Sequence, residues 1–197
     1  MNRVYAVLYP LVWIFMRIFH PWRAVGRENV PEGGAVLCGN HTTLGDPVYV
    51  VCALGSRCQT HVMAKEEIMK WPVVGWLLKK AGIIGIKRGK ADVTAVKESM
   101  RVLRNGEKLL LFPEGTRVKE GEVSEAHTGA AMFATRTGAP ILPIYIQPKK
   151  RLFRRTTVVF GQPYQPEFGG RKPTPEDYQR IADDIMRRIR ELGGDRR

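Results

Sequence analysis

Residues 40–46 read Asn-His-Thr-Thr-Leu-Gly-Asp, placing an imidazole and a carboxylate five positions apart behind the apolar run 35–38. Each residue of a regular helix turns about 100°, so positions five apart do not face each other. His41 must therefore sit in the turn ahead of a helix if its ring is to reach Asp46. An imidazole held by a carboxylate on one nitrogen presents the other as a general base, as in acyl transfer. The chain contains no Gly-x-Ser-x-Gly elbow and no cysteine in a nucleophile motif. A base at His41 would thus act on a hydroxyl of its substrate. The same residues also fit a hydrogen-bonded loop histidine beside an Asp46 helix cap.

A second loop, Phe112-Pro113-Glu114-Gly115-Thr116-Arg117, follows the apolar run 109–112. It gathers a carboxylate, a glycine, a hydroxyl and a guanidinium in one turn, and an arginine fork beside hydroxyl and backbone donors matches a phosphate. A third stretch, from Gly82 to Lys87 and Arg88, again ends an apolar run in cations. Alone, Lys87-Arg88-Gly89-Lys90 is also what a solvated basic turn looks like. Ligands and chemistry in α/β folds collect at the C-terminal ends of strands. The first two loops are expected to share a pocket, and the third to add a phosphate contact.

The elements that must position these loops follow from periodicity. Short apolar runs predict strands at 23–26, 35–39, 61–64, 82–86, 108–112, 140–146 and 156–160. Helices are predicted at 47–54, with Asp46 near the positive end of the dipole, and at 129–137. Residues 68–80 read as a helical hairpin broken at Pro72 and Gly75. Residues 92–104 read as a helix with Val93, Val96, Met100 and Leu103 on one face. Thr174-Pro175-Glu176-Asp177 is a capping box with proline at the first helical position. It opens a helix with Tyr178, Ile181, Ile185, Ile189 and Leu192 on one stripe. Strands interleaved with helices define an α/β fold with a mostly parallel, twisted sheet flanked by helices.

The 197 residues, 44% apolar, are enough for a substantial core, and no linker divides residues 22–197. The formal net charge of +13 implies an anionic partner. Lys149, Lys150, Arg151, Arg154 and Arg155 form a basic patch near Phe153, which suits anionic lipid or an acidic acyl carrier. Nucleic-acid recognition would favour a recognition helix or basic residues interleaved with exposed aromatics. A non-enzymatic binder of membrane or nucleic acid is thus an alternative, but the patch near Phe153 is explained more plainly by lipid or an acidic carrier, and nucleic acid is disfavoured. Cys38, Cys52 and Cys58 are odd in number and lie in or beside apolar runs, which reads as reduced thiols. The four histidines show no metal-ligand spacing, so no metal is expected.

Residues 4–16 form an aromatic-rich apolar run between Arg3 and Arg17. It falls short of the roughly 20 residues a spanning helix needs, and no small-residue cleavage site follows it. With Tyr5, Tyr9, Trp13 and Trp22 suited to a water–lipid boundary, residues 1–21 are expected to form an amphipathic, in-plane membrane anchor. A buried helix packed on the domain is the alternative.

Four blocks, in order, resemble those of the 1-acyl-sn-glycerol-3-phosphate acyltransferase family, the lysophosphatidic acid acyltransferases. They are residues 40–46 (Asn-His-x-x-x-x-Asp), 82–88 (Gly-x-Ile-x-x-x-Arg), 112–117 (Phe-Pro-Glu-Gly-Thr-Arg) and the apolar segment around Pro143. The resemblance implies transfer of an acyl group from acyl carrier protein or coenzyme A to the sn-2 hydroxyl of lysophosphatidic acid. The product would be phosphatidic acid, made without a cofactor at the cytoplasmic face of the cell membrane. Glycerol-3-phosphate or another lysolipid is the alternative acceptor. The resemblance also makes His41 the base and Asp46 its partner. Arg88, Arg117 and Lys65 would hold the acceptor phosphate, with Glu114, Gly115 and Thr116 shaping that loop. Backbone donors of residues 40–42 would serve the oxyanion. The chain departs from the family pattern at His127, where relatives carry a basic residue before the Gly-Ala-Ala helix. It also departs at Gly85, where a missing side chain would widen a pocket.

Overall fold

The computed structural model describes residues 3–87, 92–115, 126–169 and 172–194. In chain order the elements are α1 (Arg3–Phe19), β1 (Trp22–Val25), β2 (Ala35–Gly39), α2 (Asp46–Leu54), β3 (Thr60–Lys65), α3 (Glu66–Met69), α4 (Pro72–Lys80), β4 (Ile84–Ile86), α5 (Val93–Arg104), β5 (Lys108–Leu111), α6 (Gly129–Thr137), β6 (Ile141–Ile146), β7 (Thr156–Phe160) and α7 (Pro175–Gly193). The strands form one sheet ordered β1-β7-β6-β2-β5-β3-β4. Every neighbouring pair is parallel except β6 and β7. The C-terminal ends of β2, β3, β4, β5 and β6 therefore lie along one edge. Because β7 runs against β6, the β6–β7 loop and the start of β1 reach that same edge.

All five residues of β2 are buried, as expected for a parallel strand covered on both faces. Its side chains alternate between two cores. Val36 and Cys38 join Leu109, Leu111, Phe133, Ile181, Ile185 and Ile189 on the α5–α6–α7 side. Ala35 and Leu37 join Tyr49, Val50, Leu110, Leu142, Ile144 and Phe160 on the α2 side. The capping box of α7 forms as predicted, with Thr174 and Asp177 bonding reciprocally.

Two helices depart from the expected pattern. In α5 Leu103 is buried and Val96 and Met100 pack against the core as expected, but Val93 is 58% exposed, and Ala95, Ser99 and Val102 share the buried face. On that face Ser99 Oγ donates back to Ala95 O at 2.8 Å. The facing α6 buries Ala130, Ala131 and Ala134. Between α3 and α4 the chain breaks only at Pro72, which occupies the first turn of α4. Gly75 lies inside α4, and a Cβ there would stand 2.0 Å from Met69 O. It is the close contact of the α3–α4 corner, not a break. Gly85 likewise admits Met69, whose Cγ would be 3.0 Å from an added Cβ; its missing side chain is filled by α3 and opens no pocket.

The apolar stretch of α4 is not core: Trp71, Val73, Val74 and Trp76 are all exposed. Helix α1 is apolar on both sides. Tyr5 and Met16 are buried against the domain, and Tyr9 Oη donates to Cys52 O of α2 at 3.4 Å. On the opposite side Val7, Leu11, Ile14 and Ile18 are more than half exposed. Their spacing of four, three and four residues makes one stripe. No helix among the described residues is long and apolar enough to cross a membrane.

Gly75→Ala gains about 1 kcal/mol of helix propensity but places a methyl group against a backbone carbonyl that cannot swing aside. Overpacking of this kind costs roughly 1–3 kcal/mol. We expect net destabilisation, read as a lower denaturant midpoint; a raised midpoint would contradict the corner packing.

Candidate active site

The first loop is held at its base by Asn40. Its Nδ2 donates to Ile146 O at 2.9 Å and its Oδ1 accepts from Ile146 N at 2.7 Å, tying the exit of β2 to the end of β6. The chain then turns, and the His41 ring stacks on Phe112 with centroids 4.3 Å apart and planes 23° from parallel. His41 N donates to Glu114 Oε2 at 2.7 Å. The first two loops do meet, through one aromatic stack and one charge-assisted hydrogen bond.

Asp46 opens α2 and is fully buried. Its Oδ2 lies 3.0 Å from His41 Nδ1 and accepts from the backbone N–H groups of Thr42 and Thr43 at 2.6 and 2.7 Å. Its Oδ1 accepts from Thr43 Oγ1 at 2.9 Å and from Lys150 Nζ at 2.6 Å. Burial works to raise the Asp46 carboxyl. The hydrogen bond from His41, the Lys150 charge, and the Lys150 and Thr43 hydrogen bonds outweigh it and bring the carboxyl down to about 2. An ionised carboxylate only accepts. When the imidazole is neutral, the proton shared with this carboxylate therefore sits on Nδ1 and leaves the lone pair on Nε2.

Of the backbone donors of residues 40–42 expected to serve an oxyanion, two are committed elsewhere, His41 N to Glu114 and Thr42 N to Asp46; Thr43 N is likewise held by Asp46. The local hydroxyls are committed too. Thr43 Oγ1 donates to Asp46, and Thr42 Oγ1 accepts from Lys150 at 2.8 Å. Cys38, three residues before His41, is fully buried, and burial pushes its thiol well up. No side-chain nucleophile stands ready among the described residues of this loop.

Glu114, expected to shape the phosphate-holding loop, accepts from His41 N through its Oε2. Burial raises its carboxyl, which outweighs the lowering by the His41 hydrogen bond and charge. Gly115 has φ 64°, and a Cβ there would lie 2.1 Å from His127 Cδ2. The His127 ring covers that glycine, while the backbone N–H of His127 donates to Pro113 O at 2.8 Å. Lys65 ends β3 on the same sheet edge and is exposed. Lys87 Nζ lies 3.7 Å from Glu66 Oε1. Arg88, Thr116 and Arg117 fall outside the described residues. No group of three or more potential metal-ligating side chains occurs among the described residues.

Lys150 is the residue that sequence reasoning missed. It reads as part of a surface basic patch, but its side chain is only 7% exposed and its ammonium faces Asp46. Its distance from Asp46 along the chain and its place in a run of cations hid it. The one available signal was that a buried carboxylate needs a partner.

The Acyltransferase family model matches residues 22–147, and the chain belongs to that family. A chloroplastic 1-acyl-sn-glycerol-3-phosphate acyltransferase of Brassica napus is 32% identical over 60% of this chain and 35% of its own length. A lyso-ornithine lipid O-acyltransferase of Pseudomonas aeruginosa is 30% identical over 59% of this chain and 44% of its own length. The crystal structure of the 1-acyl-sn-glycerophosphate acyltransferase of Thermotoga maritima shares the fold. It has a TM-score of 0.71 and 24% identity, over 96% of this chain and 81% of that one. The chain spans about a third to a half of the length of several curated relatives that it matches.

The carboxyl of Asp46 lies below its ordinary 3.8, so its ionisation favours the folded state. That contribution is complete well above pH 3.8 and is lost as pH falls through about 2. Asp46→Asn should therefore be less stable than the native chain at pH 6, with the gap narrowing below pH 4, as read by urea unfolding. A gap that stays constant with pH would contradict the assignment.

Proposed function

We propose that this chain transfers an acyl group from an acyl thioester, acyl carrier protein or coenzyme A, to the sn-2 hydroxyl of 1-acyl-sn-glycerol-3-phosphate. The product is phosphatidic acid, for phospholipid synthesis. The observation that carries this reading is the His41–Asp46 pair: an oriented base with no nucleophile of its own, at the same sheet edge as the Glu114 loop. Membership of the Acyltransferase family and the names of the relatives support it.

In this mechanism His41 Nε2 takes the proton of the acceptor hydroxyl as its oxygen attacks the thioester carbonyl. The tetrahedral oxyanion collapses, the C–S bond breaks, and the imidazolium returns the proton to the departing thiolate. Asp46 stabilises the imidazolium and Lys150 holds Asp46 in place. Glu114 is a positioning residue acting through the His41 backbone. Arg88, Arg117 and Lys65 hold the acceptor phosphate, with Gly115 and Thr116 completing that loop. Helix α1 lies in the plane of the membrane with its exposed stripe in the lipid, on the cytoplasmic face, where a lysolipid acceptor resides. The reaction needs no cofactor and involves no nucleic acid. A second reading keeps the chemistry and changes the acceptor. The Pseudomonas aeruginosa relative, named for a lyso-ornithine lipid, favours that alternative.

The test is transfer of a labelled acyl group from each donor to lysophosphatidic acid, glycerol-3-phosphate and an ornithine lysolipid. Product should form with lysophosphatidic acid and fall by roughly 10²- to 10⁴-fold in His41→Ala, with folding retained. Folded native chain that makes no product with any acceptor would overturn the proposal.

A further inference from the structure

The loop between β6 and β7 carries two large apolar side chains in succession at its tip, Leu152 and Phe153, 53% and 63% exposed. Five of the seven residues from 149 to 155 are Lys or Arg, and no Asp or Glu occurs between residues 126 and 166. Arg151, Arg154 and Arg155 are exposed around the tip. The tip is not slack. Phe153 is the one non-glycine among the described residues with positive φ, 59°, a conformation that a bulky side chain adopts only when its surroundings impose it. Phe153 N donates to Phe19 O at 2.8 Å, and the two rings lie 5.7 Å apart. On its near side Lys150 is pinned to Asp46 and Thr42. Fixed at both ends, the loop presents its apolar side chains outward.

That presentation continues the outer surface of α1. The Phe15 and Phe19 rings pack at 4.9 Å between centroids, tilted by 38°, and Phe19 passes the contact to Phe153. The result is a row from the exposed stripe of α1 to the loop tip, rimmed by cations. We propose that the β6–β7 loop is a second membrane-contacting element: Leu152 and Phe153 enter an anionic phospholipid leaflet while Arg151, Arg154 and Arg155 meet its headgroups. Apolar tip and cationic rim together match a charged lipid interface. An acidic carrier protein would match the charge but not the continuity with α1. The proposal extends the membrane contact of the proposed function beyond α1. Because Lys150 lies on the same loop, it sets the mouth of the His41 site against the leaflet.

The test places a nitrobenzoxadiazole dye at Phe153→Cys in a Cys58→Ser background, since Cys38 and Cys52 are buried. The control carries the dye at Glu32→Cys, on the exposed turn before β2 at the opposite sheet edge. Vesicles of equal parts phosphatidylglycerol and phosphatidylcholine should blue-shift and brighten the dye several-fold at 153 and leave it unchanged at 32. Leu152→Ser with Phe153→Ser should weaken vesicle binding by roughly tenfold or more. Three results would overturn the proposal: a water-like spectrum at 153 while the chain sediments with vesicles, no vesicle binding, or a response to acyl carrier protein alone. The dye reports position whether or not product forms, so failure of the acyl-transfer reading is scored separately, by product, in the same samples.

Discussion

The buried carboxylate of Asp46 is the interaction on which the site depends. An uncompensated charge in a protein interior is too costly to persist, so whatever surrounds Asp46 must supply donors. Here they come from His41, Thr42, Thr43 and Lys150. These donors belong to the turn after β2 and the loop after β6, with the carboxylate itself at the start of α2. Satisfying one charge therefore fixes three pieces of chain together. It also turns the imidazole so that its free nitrogen is available for chemistry. Glu114 makes the matching connection to the loop after β5, and Asn40 to the end of β6.

Strand direction makes this convergence possible. Five parallel strand ends deliver their loops to one edge, and the antiparallel β7 returns the β6–β7 loop there as well. Helix α1 also ends at that edge, with Phe19 against Phe153. The site and the exposed apolar surface are therefore neighbours by topology. The one-chain lysolipid acceptor proposed above, and an acyl chain as donor, partition to lipid, and a site that opens at a lipid interface meets them there.

Much of this was legible in the sequence. Strands buried on both faces advertise themselves as short apolar runs, and α6 and β7 lie where periodicity placed them. The His41–Asp46 pairing was legible because helix geometry permits it only in a turn. What escaped depended on size and distance. Ala95 and Ser99 share the buried face of α5 with the predicted Leu103, and a search for bulky residues overlooks them. Gly75 reads as a break from its type alone, yet it is the residue that lets two helices touch. The backbone N–H groups of His41 and Thr42 read as available for an oxyanion because nothing local shows that Glu114 and Asp46 claim them. Lys150 sits in a basic run whose other members face solvent, and only the folded sheet brings it to Asp46.

The proposed mechanism requires that an ionised Asp46 set His41 as a base through Nδ1. Nitrogen-15 spectra of histidine-labelled protein, with the His41 signals assigned by their loss in His41→Ala, test it directly. The neutral ring should carry its proton on Nδ1 and a bare lone pair on Nε2. A neutral ring protonated on Nε2 would mean that Asp46 does not accept from it, and would contradict the account at its foundation.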